Sequence, residues 1–300
     1  MINRSVAIVS VPFGKGAATS GAELGPRHIL QASGLTRKLN ELKITYRLAQ
    51  DIHVPQYLPP IPTVNAKYLA EVHAVTRQLG DRVSEVVAAG EFPLVLGGDH
   101  SISIGTIAGL AEHYANLGVI WFDAHSDLNT EDTSPSGNIH GMSLGVSLGR
   151  GIPLLTKLRG IHPKIKPEHV AIVGARSLDP EEKAYIRTLG IACYTMHDID
   201  RQGIARVMDK VIQHLRQTTD GVHVSFDIDC VDPREAPGTG TKVIGGLSYR
   251  EAHLALELLY QSDLVTSAEF VEVNPNLDRN NQTAKLAVEL IGSLLGEQIL

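Results

Sequence analysis

Eight short apolar runs rich in β-branched residues, spaced along the chain by longer segments of helical period, set what this sequence can fold into. The runs cover 6–11, 44–48, 93–96, 118–122, 170–174, 191–194, 223–228 and 266–272, each of strand length. Between them, 26–40, 66–89, 102–116, 180–189, 204–217, 249–261 and 283–295 place apolar residues on one helical face. Strands that alternate with crossover helices build an α/β fold around a mostly parallel sheet. One helix start is written out in full: Ser248 and Glu251 form a Ser-x-x-Glu capping box ahead of a periodic stretch.

The 300 residues, 43% of them hydrophobic, suffice for one large core, so a single domain over 1–300 is expected. A net charge of −6 with interspersed signs and no basic cluster leaves no electrostatic footprint for nucleic acid or an anionic membrane. No apolar run approaches the roughly 18 residues that span a bilayer, and two cysteines, Cys193 and Cys230, cannot make a disulfide framework. A cytoplasmic chain is expected.

The polar residues at the ends of the runs carry the chemistry. Gly-Gly-Asp-His occupies 97–100, Asp-Ala-His-Ser-Asp occupies 123–127 and Asp-Ile-Asp occupies 227–229. Two of these clusters follow directly on Gly-Val-Ile-Trp-Phe and Val-His-Val-Ser-Phe, which would bury their acids. A buried carboxylate is costly unless paired or bound to a cation. On an extended segment residues i and i+2 point the same way, so Asp123, His125 and Asp127 can converge, as can Asp227 and Asp229. With His100 the set is four carboxylates and two imidazoles, hard ligands that suit manganese better than zinc. Ligands in such sheets collect at the carboxyl ends of strands, where His100, Asp123 and Asp227 all fall. The segments 129–140 and 232–246, rich in Pro, Gly, Ser and Thr, read as recognition loops at that edge, and 51–64, with four prolines, as a surface connection.

These blocks, extended to Leu-Gly-Gly-Asp-His-Ser, Trp-Phe-Asp-Ala-His-Ser-Asp-Leu-Asn-Thr and Ser-Phe-Asp-Ile-Asp-Cys-Val-Asp-Pro with Ala-Pro-Gly-Thr-Gly-Thr after it, resemble the three signatures of the ureohydrolases. Ser-Pro-Ser-Gly-Asn-Ile-His-Gly at 134–141 resembles the substrate loop of the arginases within that family, 176–182 their amino-group segment, and Glu272-Val-Asn-Pro their guanidinium-binding turn. The resemblance implies a three-layer α/β sandwich with a central eight-stranded parallel sheet, two manganese ions, a homotrimer or homohexamer, and hydrolysis of L-arginine to L-ornithine and urea. Carried over by position, His100, Asp123, Asp127 and Asp227 would serve one ion and His125, Asp123, Asp227 and Asp229 the other. His140 would relay protons, and Asp127 and Glu272 complete the catalytic set. Asn129, Ser136 and Asn138 would take the substrate's carboxylate end, Asp179 and Glu182 its amino group, and Thr241 would be a further substrate-binding residue. Thr19 and Ser20 stand where relatives often have arginine, Cys230 where a small residue is common, and Lys242 where proline is frequent.

The residues give the same mechanism a physical basis. Two cations about 4 Å apart lower the pKa of a bridging water, whose hydroxide attacks the guanidinium carbon, and a cationic substrate held beside them needs an acidic partner such as Glu272. Near its ordinary pKa of about 6.5, His140 can pass a proton to the leaving amine. His223, on the face of Asp227 under period two, reads as a core or orienting histidine rather than a ligand. Asp179, Pro180 and Glu182 also read as a helix start. Other readings are a ureohydrolase acting on agmatine or a guanidino acid, a metal-dependent phosphoesterase, and a silent binding module.

Overall fold

The structure, a computed structural model, describes residues 4–62 and 65–298. All eight expected strands form: β1 (Val6–Val11), β2 (Tyr46–Leu48), β3 (Phe92–Gly97), β4 (Leu117–Phe122), β5 (Val170–Ala175), β6 (Ala192–Thr195), β7 (Gly221–Asp227) and β8 (Val265–Val271). They make one sheet in the order β2-β1-β3-β8-β7-β4-β5-β6. Every pairing is parallel, one step beyond the mostly parallel sheet expected.

Period two sorts the side chains of each strand into two cores. Ile8, Leu94, Leu96, Phe122, Phe226 and Phe270 face one layer, closed by helices Leu35–Glu41, Ile204–Thr218, Tyr249–Ser262 and Gln282–Leu294. Val9, Val95, Val119 and Trp121 face the other, closed by Leu69–Ala88 and Ser103–Leu110 and by the chain around 139–165. The result is a three-layer α/β sandwich. On the first face Phe122, Phe226 and Phe270 run across three neighbouring strands with ring centroids 5.1 and 5.2 Å apart, an apolar ladder directly below the strand ends.

The helices follow the sequence pattern except where a local contact stops them. Segment 26–40 breaks at Gly34, which takes a left-handed φ of 83° that a β-carbon would strain. Segment 102–116 is helical only to Leu110; beyond the turn that follows, the Asp220 carboxylate accepts from the backbone N–H of Ala115 and Asn116, both at 3.0 Å, and fixes the chain outside the helix. Helix Met196–Gln202 was not foreseen, although Thr195 and Asp198 form its capping box. The Ser248–Glu251 box caps Tyr249–Ser262 as expected. The connection expected at 51–64 runs without helix or strand over 51–62, and residues 63 and 64 lie outside the described residues. Among the described residues no helix is long and apolar enough to cross a membrane.

Helix Ser103–Leu110 starts one turn after His100 and fixes where that turn lies. It approaches helix Leu69–Ala88 closely because Gly105 and Gly109 carry no side chains: β-carbons there would lie 2.5 Å from the carbonyl oxygens of Thr76 and Gly80. Gly109→Val therefore forces the helices apart and should lower stability by about 1–3 kcal/mol, the usual cost of overpacking, read as a shifted urea midpoint. An unchanged midpoint contradicts this packing.

Candidate metal centre

The four middle strands of the sheet, β3, β8, β7 and β4, end side by side, and each delivers polar groups to one place. After β3 the chain turns sharply at Gly98, where a β-carbon would sit 1.6 Å from the Phe13 carbonyl oxygen. Asp99 then caps the turn that carries His100, accepting from Ser101 N at 2.9 Å with one oxygen and from Gly16 N at 2.7 Å with the other. Asp123 follows β4, Asp227 ends β7, and Glu272 follows β8.

His100 Nδ1 lies 3.3 Å from Asp123, 3.2 Å from Asp127 and 3.1 Å from Asp227, each to a carboxylate oxygen. His125 Nδ1 lies 3.2 Å from both Asp123 and Asp229. Two ligand triads result, His100–Asp123–Asp227 and Asp123–His125–Asp229, each with its ligand atoms within 4.8 Å of one another. Asp123 belongs to both. Backbone geometry is spent on this convergence: Asp127 (φ 51°) and Glu272 (φ 64°) hold left-handed conformations that cost a non-glycine residue about 1–3 kcal/mol.

The chemistry of the donor set fits cations. Ser225 Oγ donates to Glu269 Oε1 at 2.7 Å, so its lone pair is left to accept from His100 Nε2 at 2.9 Å. That tautomer turns the Nδ1 lone pair toward three carboxylates, and Nδ1 is buried without a hydrogen-bond partner. A lone pair facing anions is repulsive unless a cation lies between them. It is the bare anions that are costly here: burial, then the charges of their neighbours, pushes Asp127 and Asp227 well above the ordinary carboxylate range, so without a cation these acids would take up protons. Burial would lower His125, but Asp123 and Asp229 outweigh it and push it up to about 12. Nitrogen and oxygen ligands alone, most of them anionic, suit hard divalent ions.

A cavity opens over this cluster, lined by His125, Asp127, Asp227 and Asp229 on its floor and by residues of the two expected loops on its walls. His140 Nδ1 stands 3.1 Å from Glu272 Oε1, which also accepts from His100 N at 2.9 Å. Burial would lower His140, yet the adjacent Glu272 carboxylate raises it to about 9. Asn129, Ser136, Thr241, Asp179 and Glu182 line the cavity too. Asn138 is buried in the loop wall, its N–H donating to Ser136 Oγ at 3.2 Å, and does not line it. Glu182 is fully engaged: one oxygen accepts from Ser126 Oγ at 2.7 Å and Leu128 N at 3.0 Å, the other from Asp179 N at 2.8 Å. Thr19 lies beside Gly240 and is not among the residues that line the cavity. The Cys230 thiol is buried and pushed well up by burial, which makes it a core residue.

Sequence reasoning did not single out the layer beneath the cluster. Trp121 stacks on His100 with ring centroids 4.0 Å apart and donates from Nε1 to Asp123 at 2.9 Å. Trp121, Ser225 and Glu269 share one register row across β4, β7 and β8. The signal was available, since Trp121 and Ser225 each precede a ligand by two residues. His223, set apart as an orienting residue, bonds Ser267 Oγ at 2.9 Å and lies 3.4 Å from Glu269.

The chain matches the model of the arginase family over residues 4–296. It is 51% identical to the arginase of Brevibacillus brevis, over 100% of both chains. The crystal structure of the Bacillus caldovelox arginase superposes with a TM-score of 0.96 at 50% identity, over 99% of this chain and 100% of that one. That of the Entamoeba histolytica arginase, solved in complex with L-ornithine, gives a TM-score of 0.91 at 32% identity, over 99% and 100%. The sheet order, the paired His and Asp clusters and these likenesses lead to one conclusion: the chain belongs to the arginase family of hydrolases.

Proposed function

We propose that this protein hydrolyses the guanidinium group of L-arginine to give L-ornithine and urea, as one catalytic unit holding two manganese ions. The observation that carries the reading is Asp123, shared between two ligand triads on the floor of the cavity. His100, Asp123, Asp127 and Asp227 would hold one ion, and His125, Asp123, Asp227 and Asp229 the other. Such a pair supplies a water of lowered pKa at neutral pH and a positive field for developing charge.

The remaining steps fall to the protein's own side chains. Glu272 spends Oε1 on His140 and His100 N, and its Oε2 lies near Gly240 at the cavity wall, where it would take the substrate's guanidinium. Paired with Glu272, His140 keeps a proton at neutral pH and would pass it to the leaving amine. Asp179 would meet the α-amino group while Glu182, with both oxygens engaged, holds Asp179 in place. Asn129, whose Nδ2 donates to Asp179 at 2.8 Å, couples that end to the loop offering Ser136 to the α-carboxylate, and Thr241 also lines the cavity.

The test is urea release from L-arginine, agmatine and 4-guanidinobutyrate, with a generic phosphoester as control, by chelator-stripped protein before and after metal addition. Arginine should be preferred, and manganese should restore activity better than magnesium. Phosphoester turnover without urea, or full turnover by the stripped protein, overturns the reading.

Two sets of variants divide the roles. Asp227→Asn should lose metal as well as rate, whereas His140→Ala should keep its metal and lose mainly turnover; elemental analysis beside kinetics decides, and an Asp227→Asn protein holding two ions refutes the ligand assignment. Asp179→Asn should weaken arginine while sparing 4-guanidinobutyrate, and Glu272→Gln should depress both. A lost charge-assisted contact is worth on the order of 1.5–3 kcal/mol, roughly ten- to a hundredfold in kcat/KM. If Asp179 serves only as a helix cap, Asp179→Asn lowers stability by about 1 kcal/mol and leaves the substrate ratio unchanged.

A further inference from the structure

The wall that would face the substrate's carboxylate is the loop tip 134–137, and it does not hold itself in place. Its internal bonds are local: Ser134 N donates to Thr130 O at 2.8 Å and Gly137 N to Ser134 Oγ at 3.0 Å. Among the described residues, the hydrogen bonds that tie 134–137 to a distant part of the chain go to two residues. Asn65 Nδ2 donates to Ser134 O at 2.7 Å, and Lys67 N donates to Gly137 O at 2.8 Å. The carboxamide fits closely. Gly137 has a φ of 72°, and a β-carbon on it would sit 2.2 Å from Asn65 Oδ1.

The bracket has a firm base. Asn65 and Lys67 lie just ahead of helix Leu69–Ala88, whose inner face is buried through Val72, Val75, Leu79 and Val83. The same stretch also grips the N-terminal loop: Lys15 Nζ reaches Gln56 O at 3.1 Å and Glu71 Oε1 at 3.3 Å. One residue on, Gly16 O accepts from His140 N at 3.1 Å. From one helix start, Asn65 and Lys67 thus hold the loop tip and Glu71 holds the N-terminal loop that bonds His140.

We propose that Asn65 is a positioning residue for substrate selection: by holding Ser134 and Gly137 it sets Ser136, which lines the cavity, where a carboxylate can be met, and so favours α-amino acid substrates over their decarboxylated counterparts. This rests on the arginine reading given above. Asn65 touches neither the ligand cluster nor Glu272, so its effect belongs to the carboxylate end alone. A neutral hydrogen bond is worth roughly 0.5–1.5 kcal/mol, so its loss corresponds to about a two- to tenfold change in affinity.

The experiment compares Asn65→Ala and Asn65→Asp with the wild type as manganese-loaded enzymes. Asn65→Asp keeps size and carbonyl oxygen but loses the donor, and serves where Asn65→Ala fails to fold. Each variant should raise the KM for L-arginine about two- to tenfold with kcat within twofold, and leave the inhibition constant of agmatine against arginine unchanged. A merely structural role would instead lower Tm and move both ligands together. An unchanged KM for arginine, or equal loss for arginine and agmatine, overturns the proposal. A wild type that fails to release urea from arginine overturns the underlying function instead, which keeps the two failures distinct.

Discussion

Concentrating six buried acids at the ends of four adjacent strands is the constraint on which the rest of this structure depends. Asp99, Asp123, Asp127, Asp227, Asp229 and Glu272 are all buried. In a low-dielectric interior such a cluster repels itself unless positive charge is placed within it. Imidazoles that offer lone pairs as ligands add no positive charge, so the paired triads leave it to come from cations. Stability and function are therefore linked at this site: the arrangement that would activate water is also the one that a bound cation would stabilise.

The sheet makes that concentration possible. Because every strand is parallel, all carboxyl ends lie along one edge, and the order β3-β8-β7-β4 puts the four donor strands next to each other although they are far apart in sequence. The two faces beneath the edge are used differently. On one, the Phe122, Phe226 and Phe270 ladder supplies apolar packing; on the other, Trp121, Ser225 and Glu269 orient the first ligands. A one-residue slip of β7 would exchange Ser225 for Phe226 beneath His100, so register and ligand geometry are one requirement.

Much of this was legible in the chain. The eight strands were found because short apolar runs between helical segments leave few alternatives. The convergence of Asp123 with His125 and of Asp227 with Asp229 could be argued from period two alone. What escaped depended on contacts between distant residues. Nothing local in 102–116 announces that Asp220 will hold Ala115 and Asn116 outside the helix. Glu269 reads as one polar residue in an apolar run, and its meaning appears only when β7 and β8 pair. Asn65 falls between the stretch read as a surface connection and the helix read after it, and its carboxamide reaches the loop tip at 134–137. Asn138 illustrates the converse: the motif is local, but whether its side chain faces the cavity is decided by the fold.

The most direct test of the dinuclear centre is an anomalous-difference map collected at the manganese absorption edge on crystals of the manganese-loaded protein. Two peaks should appear, one between His100, Asp123 and Asp227 and the other between Asp123, His125 and Asp229. A single peak, or none at these triads, would contradict the account.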